Sequence, residues 1–211
     1  MIKPTTRGNL YVLSGPSGSG KGTVRAELLK YDNHFGFSVS CTSRKMREGE
    51  TDGVHYHFLS REQFEAAIEA GRFVEWTVFC GNYYGTLFSE IEQQLAEGKD
   101  MIVEVETLGA KNIRKHYPDA VLLLILPPDF ATLNRRLSGR HTESEEQIRA
   151  RMETAKKELL EADQYDYLII NHDDGVQRAA QQILEIVHAS AHRPIRYPDL
   201  FADFFETDQT S

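Results

Sequence analysis

Residues 15–23 of this chain, GPSGSGKGT, have the glycine spacing and the lysine of a phosphate-binding loop. Its strand, loop and helix context, with apolar LYVL at 10–13 and a helical pattern at 23–29, disfavours an inert glycine-rich turn. Glycines let backbone N–H groups face phosphate oxygens, the helix start adds partial positive charge, and Lys21 adds a point charge. The sequence therefore predicts that a nucleoside triphosphate binds Gly15, Pro16, Ser17, Gly18, Ser19, Gly20, Lys21, Gly22 and Thr23.

The residue after the loop lysine is a glycine, so the hydroxyl that usually binds Mg²⁺ is missing from that position. Gly22 stands there, and Thr23 offers a hydroxyl one place later. The Gly-Thr pair after the lysine resembles the sequence at this position in nucleotide monophosphate kinases. The sequence therefore predicts Thr23 as a metal ligand.

A second group of residues could bind another phosphate. Residues 42–58, TSRKMREGETDGVHYHF, hold Arg44 and Arg47 three positions apart, a spacing that lets both guanidinium groups contact one phosphate. Tyr56, and Tyr84 in the GNYYG motif at 81–85, could add hydroxyl donors. Taken alone, the two arginines are equally compatible with a solvated surface. Two separate phosphate sites predict two phosphorylated ligands that face each other.

One carboxylate could read a base. Glu75 lies in a strand pattern between Phe73 and Trp76, where an ionised carboxylate needs a partner. Guanine presents adjacent N1–H and N2–H₂ donors to a carboxylate, whereas adenine presents a different edge. A structural ion pair is the alternative interpretation of Glu75.

These motifs together resemble the guanylate kinase family from about residue 8 to 189. The family signature is matched by Thr42, Ser43, Arg44, Arg47, Glu50, Gly53, Tyr56 and Phe58, and a second motif by GNYYGT at 81–86. The resemblance implies that GMP binds to Ser40, Arg44, Arg47, Tyr56, Glu75, Tyr84, Thr86 and Glu106. Within that set, the base would be read by Glu75, Ser40 and Glu106. Glu104 would hold Mg²⁺ through water, and Asn171 would contact the adenine region of ATP.

The activity that the resemblance implies is Mg²⁺-dependent transfer of the ATP γ-phosphoryl group to GMP, and to dGMP, in purine nucleotide metabolism. The acceptor is an anionic phosphate oxygen, so positioning and charge neutralisation replace a general base. The predicted catalytic residues are Lys21, Arg44, Arg136, Arg140 and Arg151. For the last three, the alternative is ordinary surface pairing with Glu145, Glu146 and Glu153. Arg149 is predicted to be a surface residue.

The elements that must position these residues form an α/β pattern. Continuous apolar runs at 101–105, 121–126 and 167–170 predict strands of a parallel sheet that is buried on both faces. Helical patterns cover 109–116, a segment from Asp129 to 137, and 176–189 after Asp173 or Asp174. We therefore predict a P-loop NTPase parallel sheet covered by helices, with an inserted mixed α/β nucleotide-monophosphate lobe and a helical lid arm.

Two insertions divide this core. Residues 1–38, 100–137 and 159–191 are predicted as the P-loop core, and 39–99 as the GMP-binding lobe, with a helix after a capping box at Ser60 and Gln63. Residues 138–158 are predicted as the lid, with a second capping box at Ser144 and Gln147. Residues 192–211 form a tail to which no role is assigned.

Composition limits the partners. The formal net charge of −8 argues against nucleic-acid binding, which rewards a basic surface. Cys41 and Cys80 lack metal-ligand spacing and are predicted to be buried in a reducing compartment. No run approaches about 18 apolar residues, and the N-terminus lacks a signal sequence, so a cytoplasmic protein without membrane contact is predicted.

The sequence leaves two other functions to be considered. Guanylate-kinase-like scaffold modules bind proteins without catalysis, but they tend to lose the phosphate loop that is intact at 15–23. A kinase of another small phosphorylated acceptor, such as a ribose bisphosphate, would have no use for Glu75, because a sugar has no guanine edge.

Overall fold

A computed structural model describes residues 3–31, 35–79, 81–139 and 145–205. The strands are Leu10–Ser14 (β1), Phe35–Phe37 (β2), Cys41–Thr42 (β3), His57–Phe58 (β4), Phe73–Phe79 (β5), Asn82–Leu87 (β6), Asp100–Glu104 (β7), Val121–Leu126 (β8) and Tyr167–Ile170 (β9). The helices are Lys21–Leu28 (α1), Arg61–Glu69 (α2), Phe88–Ala96 (α3), Thr107–His116 (α4), Phe130–Ser138 (α5), Glu145–Leu159 (α6), Val176–Ser190 (α7) and Leu200–Phe205 (α8). None of the helices in these ranges is long and apolar enough to cross a membrane.

The larger sheet is parallel and has the strand order β2-β7-β1-β8-β9. Its central strand β1 pairs with both neighbours, so that Val12 lies opposite Val103 on one side and Leu122 on the other. Every residue of β1 and β8 is buried, as their continuous apolar sequences predict for a sheet covered on both faces. The predicted α/β fold class is confirmed.

Helices cover both faces of this sheet, because successive side chains of a strand point to opposite sides. One face packs against α1 and α7, and its core includes Tyr11, Leu13, Val24, Leu123 and Ile183. The other packs against α3 and α4, and its core includes Leu10, Val12, Ile91, Val103 and Ile113. The phosphate loop and the carboxyl end of β7 are therefore held by the most buried part of the molecule.

Two helix starts differ from the sequence-based prediction. Helix α4 begins at Thr107, two residues before the predicted position. Helix α7 follows Gly175 and no side chain caps it, so the predicted cap at Asp173 or Asp174 is wrong. The Asp173 carboxylate instead forms an ion pair with Arg136. Both aspartates precede the N-cap position, which Gly175 occupies.

The inserted lobe contains a four-stranded sheet of order β4-β3-β6-β5. Strand β6 was not predicted from the sequence, although it contains residues 82–85 of the GNYYG motif. The pairing of β5 with β6 shifts between Phe73 and Glu75, so Val74 is an extra residue on that strand. This bulge places Glu75 directly opposite Thr86. Bulges commonly redirect a side chain next to a functional site.

Helix α2 covers this small sheet and begins at the predicted capping box. The Gln63 N–H donates to Ser60 Oγ at 3.1 Å, and the Ser60 N–H donates to Gln63 Oε1 at 2.7 Å. Phe64 of α2 stacks on Phe73 and Tyr83, with ring centroids 4.3 and 5.1 Å away. The cap therefore fixes the start of the helix whose apolar face closes the lobe.

We expect Ser60→Ala to lower the free energy of unfolding by about 1 kcal/mol, because it leaves a helix N–H without its side-chain acceptor. Urea denaturation followed by circular dichroism measures the difference. The matched control is Ser89→Ala, an exposed serine inside the first turn of α3, where alanine is the better helix former. Equal unfolding free energies for wild type and Ser60→Ala would contradict the prediction.

Candidate active site

The phosphate loop joins β1 to α1 with a backbone that only glycine allows at several positions. Gly15, Gly18 and Gly20 have φ angles of 147°, 90° and 93°. A Cβ atom on Gly15 would lie 2.2 Å from the Ile125 carbonyl oxygen, and one on Gly20 would lie 2.2 Å from Asn171 Nδ2. The loop therefore lies tightly against the ends of β8 and β9, with its glycines required by both conformation and space.

Lys21 is the first residue of α1 and is almost fully buried, with 8% of its surface exposed. Its Nζ donates to the Gly15 carbonyl oxygen at 2.5 Å and lies 3.4 Å from Glu106 Oε1. The ammonium group is thus folded back over the loop. The first N–H groups of α1 point into the same region, since a helix start leaves them without intrahelical partners.

A network of hydrogen bonds from Asn171 and Arg136 supports the phosphate loop. Asn171 is buried, and its Nδ2 donates to the Ser19 carbonyl oxygen at 2.9 Å. Arg136 donates to the same oxygen at 3.3 Å and to the Asn171 carbonyl oxygen at 2.8 Å, and its ion-pair partner is Asp173 at 2.9 Å. Arg136 therefore contacts the phosphate loop, and its partner is not one of the three glutamates considered from the sequence.

Helix α6 brings an arginine from the arm to the loop. Arg151 Nη1 donates to Ser17 Oγ at 2.9 Å. The arm is held to α5 by a small apolar cluster that includes Leu133, Leu137 and Ala155. Arg149 is exposed, as predicted. Arg140 lies outside the described residues, as do Ser144 and Cys80, while Cys41 is buried as predicted.

The acceptor side is built around one arginine. The Arg44 guanidinium makes two hydrogen bonds to the Glu50 carboxylate, at 2.8 and 3.0 Å. It also lies over the ring of Tyr56, 5.5 Å from the centroid, and the Tyr56 and Tyr84 rings meet edge to face at 6.0 Å. Arg44, Tyr56 and Tyr84 are therefore brought together as predicted, while the Arg47 side chain is exposed.

Glu75 is buried at the boundary between the lobe and the core, with 8% of its surface exposed. Thr86 Oγ1 donates to Glu75 Oε1 at 2.7 Å, and Oε2 lies 3.0 Å from where a Cβ atom on Gly109 would be. Burial raises the pKa of this carboxyl group. In the described ranges no cation lies within ion-pair distance of Glu75, so the structural ion pair considered from the sequence is absent.

Two carboxylates at the carboxyl end of β7 connect the halves of the site. Glu104 ends the strand and Glu106 follows it, beside Lys21. Burial raises the pKa of Glu104, against the opposing positive charges of Lys21 and Arg25. The charge of Glu104 also contributes to the raised pKa of Tyr56, after burial and the neighbouring Tyr84. The donor and acceptor groups therefore lie within electrostatic reach of the same strand end.

A metal at this edge would find a suitable donor. In the described parts of the chain, the Glu104 carboxylate makes no hydrogen bond or ion pair, and the Thr23 side chain is exposed in the first turn of α1. Mg²⁺ commonly binds one or two protein carboxylates and otherwise keeps waters and substrate phosphates as ligands. The residues present fit that requirement.

Two contacts that fix this region were not predicted from the sequence. Thr107 Oγ1 donates to Glu158 Oε1 at 2.8 Å, which ties the end of the arm helix to the start of α4. Tyr165 donates its hydroxyl to Ser14 Oγ at 3.0 Å, directly before the phosphate loop. Glu158 lies in a charged helical stretch and Tyr165 in a turn, so neither carried a recognisable motif. Ser40, in turn, lies between β2 and β3 as a partly buried residue.

A phosphate loop on a parallel sheet, together with an arginine and tyrosine cluster in an inserted lobe, is typical of the class of P-loop kinases that act on nucleoside monophosphates. The family model described as guanylate kinase matches residues 7–190. The chain therefore belongs to the guanylate kinase family.

Relatives and a solved structure agree with this assignment. The chain is 48% identical to a guanylate kinase of Enterococcus faecalis over 187 residues, which cover 88% of this chain and 90% of the relative. It is 46% identical to one of Bacillus cereus over 195 residues, covering 90% and 94%. A crystal structure of guanylate kinase from Anaplasma phagocytophilum, 27% identical, superposes with a TM-score of 0.74 over 94% of both chains.

Proposed function

We propose that the protein transfers the γ-phosphoryl group of ATP to GMP and to dGMP, giving ADP and the corresponding diphosphate. The observation that carries this proposal is Glu75, a buried carboxylate without a cationic partner in the described ranges, beside an arginine and tyrosine clamp. Such a carboxylate is costly unless a ligand supplies donors, and guanine supplies two adjacent ones. Because Gly109, in the first turn of α4, has no Cβ atom, no side chain of that residue crowds Glu75 Oε2.

The division of the chain follows the two ligands. Residues 1–38, 100–137 and 159–191 hold ATP, residues 39–99 hold GMP, and residues 138–158 form a lid. On the donor side, the loop amides and Lys21 bind the phosphates, and Arg136, Arg140 and Arg151 neutralise charge on the transferring group. The contact of Arg151 with Ser17 supports this role, since it already brings the arm to the loop. Asn171, whose Nδ2 donates to the Ser19 carbonyl oxygen, contacts the adenine region of ATP.

On the acceptor side, Arg44, Arg47, Tyr56 and Tyr84 hold the GMP phosphate in line with the ATP γ-phosphorus. A GMP phosphate oxygen forms the new bond to phosphorus while the bond to the ADP oxygen breaks, so no proton must be removed first. Positioning and charge neutralisation therefore provide the catalysis. The base is held by Glu75, with Ser40, Thr86 and Glu106 completing that side.

When bound, Mg²⁺ would neutralise negative charge on the ATP phosphates. Thr23 and Glu104 are the residues that would hold it, the latter through water. We place the reaction in purine nucleotide metabolism in the cytoplasm. The buried thiol of Cys41 is compatible with that reducing compartment, and the net charge of −8 disfavours nucleic acid as a partner.

An assay of ADP release with a panel of acceptors tests the proposal. We expect turnover with GMP and dGMP, and kcat/KM at least about 100-fold lower with AMP and UMP, because neither of their base edges presents two adjacent donors to Glu75. Ribose 1,5-bisphosphate should not be phosphorylated. Binding of GMP without any ADP release would favour a scaffold module, and preferential use of the sugar phosphate would reject guanine recognition.

A further inference from the structure

The Glu50 carboxylate touches both arginine-bearing positions of the acceptor clamp. Its two oxygens accept from Nη1 and Nη2 of Arg44, at 3.0 and 2.8 Å. One of them also accepts from the Arg47 main-chain N–H at 2.7 Å. Both side chains of the ion pair are mostly buried, with 13% and 17% exposed. Glu50 therefore closes the turn 44–50 and holds its guanidinium at the same time.

The hydrogen bonds of Arg44 leave one edge of its guanidinium available. The Nη1 hydrogens go to Glu50 and to the Lys45 carbonyl oxygen, the latter at 2.7 Å, and one Nη2 hydrogen goes to Glu50. The Nε hydrogen and the second Nη2 hydrogen form the other edge, a parallel pair that suits a phosphate. In the part of the chain that the structure describes, no carboxylate lies within ion-pair distance of that edge.

The rings of Tyr56 and Phe58 and the hydroxyl of Tyr84 lie near the Arg44 guanidinium. The guanidinium lies over the rings of Tyr56 and Phe58, at 5.5 and 5.7 Å from the centroids. The Glu50 hydrogen bond is the main cause of the raised pKa of Arg44, and the nearby Tyr84 hydroxyl adds to it. The same ion pair lowers the pKa of Glu50 to about 2, so the carboxylate stays charged at neutral pH.

We propose that Glu50 is a positioning residue for the acceptor phosphate. By occupying the end of the Arg44 guanidinium, it aims the free edge toward the space beside the Tyr56 and Tyr84 hydroxyls before any ligand arrives. An arginine without this partner would have to lose its rotamer freedom when the phosphate binds. This inference rests on the proposed function, because it assigns the anion as the GMP phosphate.

Two effects oppose each other when the charge of Glu50 is removed. The loss of a negative charge near the site favours an anion, whereas the loss of the fixed guanidinium disfavours it. We expect positioning to dominate, so that Glu50→Gln weakens GMP affinity about 10-fold or more. ATP affinity should not change, because the phosphate loop does not contact Glu50.

The experiment compares GMP with guanosine, which has the same base and sugar but no phosphate. Calorimetry with wild type, Glu50→Gln and Glu50→Ala measures the affinity ratio of the two ligands. The ratio should fall about 10-fold in both variants, while guanosine affinity stays within about 2-fold. Glu48→Gln is the matched control, since it removes an exposed charge from the same turn and should leave the ratio unchanged.

The outcomes distinguish the positioning role of Glu50 from the proposed function. If wild type binds neither GMP nor guanosine, the proposed function fails. If wild type prefers GMP to guanosine, and both Glu50 variants have the same GMP-to-guanosine affinity ratio as wild type or bind GMP more tightly, the positioning role is overturned and the proposed function stands. Guanosine affinity and the melting temperature report whether each variant is folded, so an equal loss for both ligands also counts against positioning.

Discussion

Lys21→Ala should lower kcat by about 1,000-fold, as expected when one preorganised charge-stabilising group is removed. That factor corresponds to about 4 kcal/mol of transition-state stabilisation. The reason lies in the position of the side chain, which is buried against the Gly15 carbonyl at the first residue of α1. Charge gathers on the transferring phosphoryl group, and water cannot replace a buried ammonium that is fixed beside it.

Steady-state kinetics with saturating ATP and GMP measures this loss, and circular dichroism checks the fold. Lys21→Met is the second variant, because it keeps an aliphatic side chain in the space beside the phosphate loop. Lys115→Ala is the matched control, since Lys115 is exposed in the last turn of α4, at the opposite end of that helix from the site. A kcat within about 3-fold of wild type in both Lys21 variants would reject a role in phosphoryl transfer.

The donor half could be predicted because its chemistry is local in the sequence. The loop at 15–23 carries its glycines, its lysine and the flanking strand and helix within about 20 residues, which is why its interpretation needs no tertiary information. The parallel sheet could be predicted for a similar reason. Strands that are buried on both faces have continuous apolar sequences, and β8, which is buried throughout, begins and ends where its run does. β9 also has the bounds of its run, but it is the edge strand, and its Tyr167 and Leu168 are exposed, so the predicted burial on both faces is wrong for this strand.

The contacts that support the site could not be predicted, because they join distant segments. Arg136 reaches Asp173 across 37 residues, and Thr107 reaches Glu158 across 51. No local pattern distinguishes such residues from ordinary surface charges. The wrong helix cap is a similar case, since Asp173 has the residue type of a cap but lies before the N-cap position at Gly175 and pairs with Arg136.

The acceptor half of the site could be predicted only in part. Its motif showed which residues belong together, but it did not show that Val74 is an extra residue in β5 or that Glu75 therefore faces Thr86. A bulge depends on how two strands pair, and one strand's sequence does not specify it. The bulge matters for function because it sets the direction of the carboxylate that we assign to guanine.

Replacing that carboxylate should have the second large effect. We expect Glu75→Gln to lower kcat/KM for GMP by about 100-fold or more, since hydrogen bonds to a charged partner contribute about 1.5–3 kcal/mol and the new amide N–H₂ also faces guanine donors. The KM for ATP should stay within about 2-fold, because the donor loop does not contact Glu75. Kinetics at varied GMP and varied ATP distinguishes the two, with the exposed Glu69→Gln of α2 as the control.

Stability should respond in the opposite direction from activity. Burial raises the pKa of Glu75 in the folded protein above its value in the unfolded chain, so keeping it ionised costs folding free energy. That cost is absent at pH values below the unfolded pKa and develops as pH rises through the folded pKa. Glu75→Gln carries no such cost, and Thr86 can still donate to its amide oxygen. Urea denaturation at pH values from about 4, near the ordinary carboxyl pKa, to about 8 measures this effect. The free energy of unfolding of the variant should increase relative to that of wild type as pH rises. A variant that lost GMP and ATP use equally, and stability at every pH, would mean that Glu75 holds the fold together and does not read the base.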